Sequence, residues 1–153
     1  MLINPHNIDG MNIETIMSAD VITVKVDDDL YRVREIFNTR KFHHLVVMQS
    51  GELKGVISDR DLLKALSPSL ETEEETLKDR SILAKKVSEI MTKEVVAVTR
   101  DVSIKAAAQL MLSKNVSCLP IANEKKRVIG IVTLKDVLWS YIDPGKVKKK
   151  TEQ

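Results

Sequence analysis

Two heptapeptides combine residue types that can do chemistry: Gly55-Val56-Ile57-Ser58-Asp59-Arg60-Asp61 and Gly130-Ile131-Val132-Thr133-Leu134-Lys135-Asp136. Each reads as a strand, a hydroxyl and a helix start, with a cation two residues after the hydroxyl and a carboxylate three after it. Free backbone N–H groups and the helix dipole favour an anion such as phosphate at a helix N-terminus. The hydroxyl of Ser58 or Thr133 can donate to a phosphate oxygen, and Arg60 or Lys135 can neutralise the charge. The carboxylate of Asp61 or Asp136 can accept hydrogen bonds from paired ribose hydroxyls. A phosphate donor beside a diol acceptor suits a nucleotide. The same spacing is also a capping box, in which the carboxylate returns to the cap N–H. Both readings stand, and the cation retained in both copies favours the ligand, since a cap has no use for it.

Other candidates are weaker. His43-His44 lack a third ligand at useful spacing, so no metal site is expected. As strand neighbours, one should point into the sheet face and the other out. Cys118 begins a strand and reads as a small buried hydrophobe, with no histidine beside it in its own copy. Met17 and Met91 read as core. Asp27-Asp28-Asp29 reads as a helix N-terminus, because the ligand spacing of a calcium loop is absent.

The elements that must position these groups occur twice. Residues 13–66 align with 87–141 at an offset of 74, rising to 75 after one residue inserted near the Gln49–Lys54 turn. Nine identities stay in register: Ile16/Ile90, Met17/Met91, Val21/Val95, Val24/Val98, Asp27/Asp101, Leu45/Leu119, Gly55/Gly130, Asp61/Asp136 and Leu63/Leu138. Two copies fall short of the three or more that a solenoid needs, so face-to-face packing is expected.

Each copy predicts strand, helix, strand, strand, helix. Val21–Val24 and Val95–Val98 are short β-branched runs. Asp27–Asp29 and Asp101–Ser103 supply cap side chains. The helices that follow carry apolar residues at 30, 33, 36 and 37, and at 104, 107, 108 and 111. Strands are then predicted at His44–Met48 and Leu53–Ser58, and at Cys118–Ala122 and Val128–Thr133. A closing helix sets Leu62, Leu63 and Leu66 on one face, with Val137, Leu138 and Tyr141 as counterparts. The fold class is α+β, two β-α-β-β-α motifs.

The divisions expected are an extension at 1–12, motif 1 at 13–66, an acidic connector at 67–86, motif 2 at 87–142 and a basic tail at 143–153. Met11 is an alternative start, leaving residues 1–10 as a leader or an upstream extension. The connector, where Pro68 ends the preceding helix, reads as exposed chain with a helical turn or as a partner-binding element. The tail KVKKKTEQ reads as solvated or as touching nucleic acid or acidic lipid.

Composition narrows the classes. The 153 residues are 43% hydrophobic and 30% charged, ordinary for a soluble globular chain. The net charge of +2 gives no strong field for nucleic acid or membrane. Only five aromatics are present (Tyr31, Phe37, Phe42, Trp139 and Tyr141), which disfavours a single-strand binder. A lone cysteine excludes an intrachain disulfide and fits a reducing compartment. No secretory signal or spanning run is legible, so the expected location is cytoplasmic.

The order φ-x-x-φ-M-[ST], then L[VP][VI], then G-φ-φ-[ST]-x-[RK]-D, repeated over roughly residues 13–142, resembles a tandem CBS domain pair, or Bateman module. The resemblance implies a pseudo-two-fold pair with two clefts between the motifs, often assembled as a disc-like homodimer. It also implies sensing of adenosine-containing ligands (AMP, ADP, ATP or S-adenosylmethionine), with no required cofactor. Carried onto this chain, Ser58 and Thr133 contact phosphate, Asp61 and Asp136 hold ribose, and Arg60 and Lys135 supply charge. Ser18 and Thr92, with the Asp20-Val21 and Glu94-Val95 backbone, flank the adenine. His43-His44 stand where the family often carries basic residues, and Ser117-Cys118 replace them in the second copy. The cleft with the histidines is therefore expected to prefer more phosphate charge. Val46 stands where the family usually shows the proline found at Pro120, a difference of strand geometry.

The expected function is a stand-alone, non-catalytic sensor of adenine nucleotides that signals to a separate regulated protein. Membrane is excluded as a partner and nucleic acid is disfavoured. The alternative is a structural homodimer or adaptor with no physiological ligand. No nucleophile–base pair or metal set supports an enzyme.

Overall fold

The computed structural model describes residues 10–66 and 77–144. The first nine residues, the acidic run Glu71–Glu75 with Pro68, and the basic tail after Pro144 lie outside the described residues.

The chain folds as two compact units that do not coincide with the two sequence repeats. One unit runs from Ile22 to Val95, and the other joins the chain up to Val21 with the chain from Val96 onward. The lead-in before each repeat's first strand thus belongs to the other repeat's unit.

In the Ile22–Val95 unit, β1 (Thr23–Lys25) pairs parallel with β2 (His44–Gln49), which pairs antiparallel with β3 (Glu52–Ser58). The parallel step is bridged by α1 (Leu30–Thr39), the crossover such pairing requires. Asp29 caps α1 by accepting from the Arg32 N–H at 3.0 Å, as the acidic run predicts. Ser50 and Gly51, at φ 52° and 79°, make the tight β2–β3 turn. Next come α2 (Asp59–Ala65) and α3 (Leu77–Leu83). The connector therefore ends as a helix whose Leu83 is fully buried. The core joins Val24, Leu30, Val33, Leu45, Val47, Ile57 and Leu62 with Leu83 from the connector and Val87 from the lead-in of the second repeat.

The other unit repeats this plan with α4 (Ile104–Lys114), β4 (Cys118–Ala122), β5 (Val128–Thr133) and α5 (Leu134–Ile142). Ile104, Ala107 and Met111 form the buried stripe of α4, as their spacing predicts. Its core is completed by Ile13 and Ile16 from the lead-in of the first repeat. Cys118 is buried, as expected of a strand hydrophobe.

Two expectations need correction. The predicted strand Val95–Val98 is reduced to one parallel bridge, Val98 to Ile121. In the first copy the Val46 N–H donates to the Ile22 carbonyl at 3.3 Å and extends the ladder. The equivalent residue is Pro120, which has no N–H to offer Val96. The second concerns the closing helices. Leu62 and Val137 are buried, but Leu63 and Leu138 are 69% and 54% exposed. Adjacent helical residues lie about 100° apart, so only the i, i+4 partners Leu66 and Tyr141 share the inner face.

Candidate functional site

The lead-ins build the candidate sites. In one unit the Val87 N–H donates to the Asp28 carbonyl at 2.8 Å, and the Leu30 N–H to the Lys85 carbonyl at 3.0 Å. A 3-10 turn, Val87–Glu89, then leads to Thr92, whose N–H and carbonyl pair with Val56 at 2.9 and 3.1 Å. The other unit does the same. Ile13 N–H donates to the Val102 carbonyl at 2.7 Å, Ile104 N–H to the Met11 carbonyl at 2.9 Å, and Ser18 pairs with Ile131 at 2.9 and 3.0 Å.

Gly55 and Gly130 permit this approach. A Cβ on Gly55 would lie 2.6 Å from the Met91 sulfur and 2.9 Å from the Thr92 carbonyl oxygen. On Gly130 it would lie 2.6 Å from the Met17 sulfur and 3.1 Å from the Ser18 carbonyl oxygen. Met17 and Met91, half-buried, are thus the side chains that lie over the glycines.

Val56 and Ile131 each stand two residues before the closing hydroxyl, on the same strand face and about 7 Å from it. Thr92, Glu94 and Val95 therefore belong with Ser58, Arg60 and Asp61, and also with His43 and His44. Ser18, Asp20 and Val21 belong with Thr133, Lys135 and Asp136. Each set draws its lead-in from one repeat and its closing segment from the other, a pairing that sequence alignment leaves open.

Both closing segments form complete capping boxes. The N–H and hydroxyl of Ser58 donate to Asp61 Oδ2 at 2.8 and 2.9 Å, and the Asp61 N–H donates to Ser58 Oγ at 3.2 Å. Thr133 and Asp136 repeat this at 2.9, 3.0 and 3.2 Å. The cap falls on Oδ2 of each carboxylate. Each carboxylate is half-buried, while Arg60 and Lys135 are exposed.

His43, exposed, stands just before β2, and His44, half-buried, begins it. His43 Nδ1 donates to Asp59 Oδ2 at 2.7 Å, and the Asp59 N–H donates to the His43 carbonyl at 3.0 Å. Burial pushes the His44 imidazole below its ordinary value. Asp59 opposes that shift, His43 adds to it, and Asp61 and Arg60 act more weakly in opposite senses. Sequence reasoning passed over Asp59. In the second copy its place is taken by Leu134, whose N–H donates to the Ser117 carbonyl at 2.8 Å, so the backbone contact survives without the side-chain hydrogen bond.

Among the described residues, no three His, Cys, Asp or Glu side chains group so as to hold a metal. No helix among them is long and apolar enough to cross a membrane.

Comparison with known proteins agrees with this architecture. A CBS domain-containing protein of Dictyostelium discoideum is 37% identical over 129 residues, covering 82% of this chain and 88% of its own. Inosine-5'-monophosphate dehydrogenase of Methanocaldococcus jannaschii is 33% identical over 126 residues, but the match spans only 22% of that enzyme's length. Among solved structures, the CBS domain pair of protein MJ0100, in complex with 5'-methylthioadenosine and S-adenosyl-L-methionine, superposes with a TM-score of 0.69 at 26% identity. That match covers 84% of this chain and 97% of the other. The CBS domain profile matches residues 13–68 and 87–143. The chain belongs to the CBS domain family and carries two CBS motifs.

Proposed function

We propose that this protein is a non-catalytic regulatory module that binds adenosine-containing ligands of the AMP, ADP, ATP or S-adenosylmethionine class and signals their presence to a partner protein. One observation carries the reading. In each unit a lead-in bearing a hydroxyl residue, Ser18 or Thr92, is bonded to the closing strand two residues before the hydroxyl–cation–carboxylate set. Each unit so gathers groups for base, ribose and phosphate. The adenosine ligands of the MJ0100 pair support the ligand class.

In this reading Asp61 and Asp136 hold the ribose diol through their carboxylates. Ser58 with Arg60, and Thr133 with Lys135, meet the phosphate. A ligand shifts the protein's state only by as much as it prefers one arrangement. The module works in the cytoplasm as a homodimer, and exposed Leu63, Leu138, Trp139 and Ile142 offer apolar surface for association. The second reading, a structural adaptor without a ligand, is favoured by the capping boxes, which already engage both carboxylates.

Isothermal titration of the full chain with the four ligands tests the choice. Binding that disappears in the Asp61→Ala, Asp136→Ala double variant supports the sensor. Heats absent for all four support the adaptor.

A further inference from the structure

The two candidate sites share one backbone plan but differ in a charge beside the hydroxyl. Asp59 lies between Ser58 and Arg60 and accepts the His43 N–H at 2.7 Å; Leu134 stands in its place beside Thr133. The Ser58 segment thus carries two carboxylates and one cation, Asp59, Asp61 and Arg60. The Thr133 segment carries one of each, Asp136 and Lys135. His43, the residue expected to attract phosphate, already donates to Asp59. The neighbouring His44 is held below its ordinary protonation range chiefly by burial, with Asp59 opposing the shift. The remaining charges, Lys93 and Glu94, follow Thr92. On the other lead-in, Asp20 follows Ser18, so each lead-in brings one carboxylate, and only the segment beside the hydroxyl differs in its number of carboxylates.

We propose that Asp59 is a specificity-determining residue that makes the Ser58–Asp61 site select adenosine ligands without phosphate, leaving phosphate-bearing ligands to the Thr133–Asp136 site. The assignment rests on the nucleotide-binding reading above and reverses the preference expected from the histidines alone. A phosphate entering beside Ser58 faces two carboxylates, Asp59 and Asp61. An uncharged 5'-substituent does not meet that cost. One extra like charge at about 4 Å in a solvated site corresponds to a factor of about five to ten in affinity.

The test uses the full chain and reads binding at this site through the ring signals of His43 and His44, assigned with His43→Gln and His44→Gln variants. 5'-Methylthioadenosine and AMP are titrated separately. The expected result is affinity for methylthioadenosine about tenfold above that for AMP. Asp59→Leu, which installs the residue of the other copy, and the near-isosteric Asp59→Asn should each bring the ratio to unity or invert it. AMP binding as tightly as methylthioadenosine to the unmodified chain, or an unchanged ratio in both folded variants, overturns the role of Asp59 while leaving the nucleotide site standing. If neither ligand binds any form, shown by still ring signals and absent titration heats, the nucleotide site and the role of Asp59 both fall.

Discussion

Ser18 and Ile131 exchange both backbone hydrogen bonds, at 2.9 and 3.0 Å, although they belong to different sequence repeats. Thr92 and Val56 form the same pair in the other unit. These two clasps bring each lead-in hydroxyl beside a closing segment, and they depend on a bare Cα one residue from the pair.

Gly55→Ala and Gly130→Ala should therefore destabilise the fold by about 1–3 kcal/mol each, because the new methyl meets a carbonyl oxygen that cannot swing aside. Urea unfolding measures the cost. Alanine at Gly10, with nothing within 4 Å of its added Cβ, serves as the control and should change stability little. Equal costs at all three positions would contradict the close approach.

The caps give a second expectation. Ser58→Ala and Thr133→Ala each remove an acceptor for an N–H of the first helical turn and should cost about 0.5–2 kcal/mol. Thr133→Ser and Ser58→Thr keep the hydroxyl and should retain most of the stability in the same denaturant assay.

Exposure separates neighbouring leucines of α2. Leu62→Ala should cost about 2–5 kcal/mol, the range for a buried leucine, whereas Leu63→Ala should change monomer stability by less than about 0.5 kcal/mol. Comparable losses in thermal or urea unfolding would return Leu63 to the core.

His44 makes stability depend on pH. Its folded value is lowered by burial, so the unfolded chain takes up the proton first as pH falls. This group leaves stability unchanged well above pH 6.5, its ordinary value, and lowers it as pH falls from there toward the folded value. His44→Gln should remove that component. The stability of the unmodified chain relative to the variant should decline between about pH 7.5 and pH 5.5, where an ordinary histidine titrates. Parallel pH profiles from urea midpoints would contradict it.

Much of this was legible in the sequence because it is local. The spacing of Leu30, Val33, Ile36 and Phe37 marks α1, and the hydroxyl–carboxylate spacing at Ser58 and Thr133 marks two caps that form. What escaped is set at longer range. Ile13 and Val87 are equivalent apolar residues, and nothing in either says which copy's core will bury it. The reduced strand near Val98 turns on one missing N–H, at Pro120 in a neighbouring strand. Asp59 was hidden by a bulge. Counting back from the turn pair Gln49–Glu52 sets His44 opposite Ile57. The register shifts between Val47 and Met48, which leaves Lys54 unpaired in the ladder and sets His44 opposite Ser58. That shift brings His43 to Asp59.

The central claim, that the two clasped segments form sites for adenosine ligands, is tested most directly by thermal unfolding with millimolar AMP, ADP, ATP or S-adenosylmethionine. At about 100 times its dissociation constant, a ligand bound at one site adds roughly 2.7 kcal/mol of stability. The account predicts a clear upward shift with at least one of the four, lost in the Asp61→Ala, Asp136→Ala double variant. An unmoved transition with all four would contradict it.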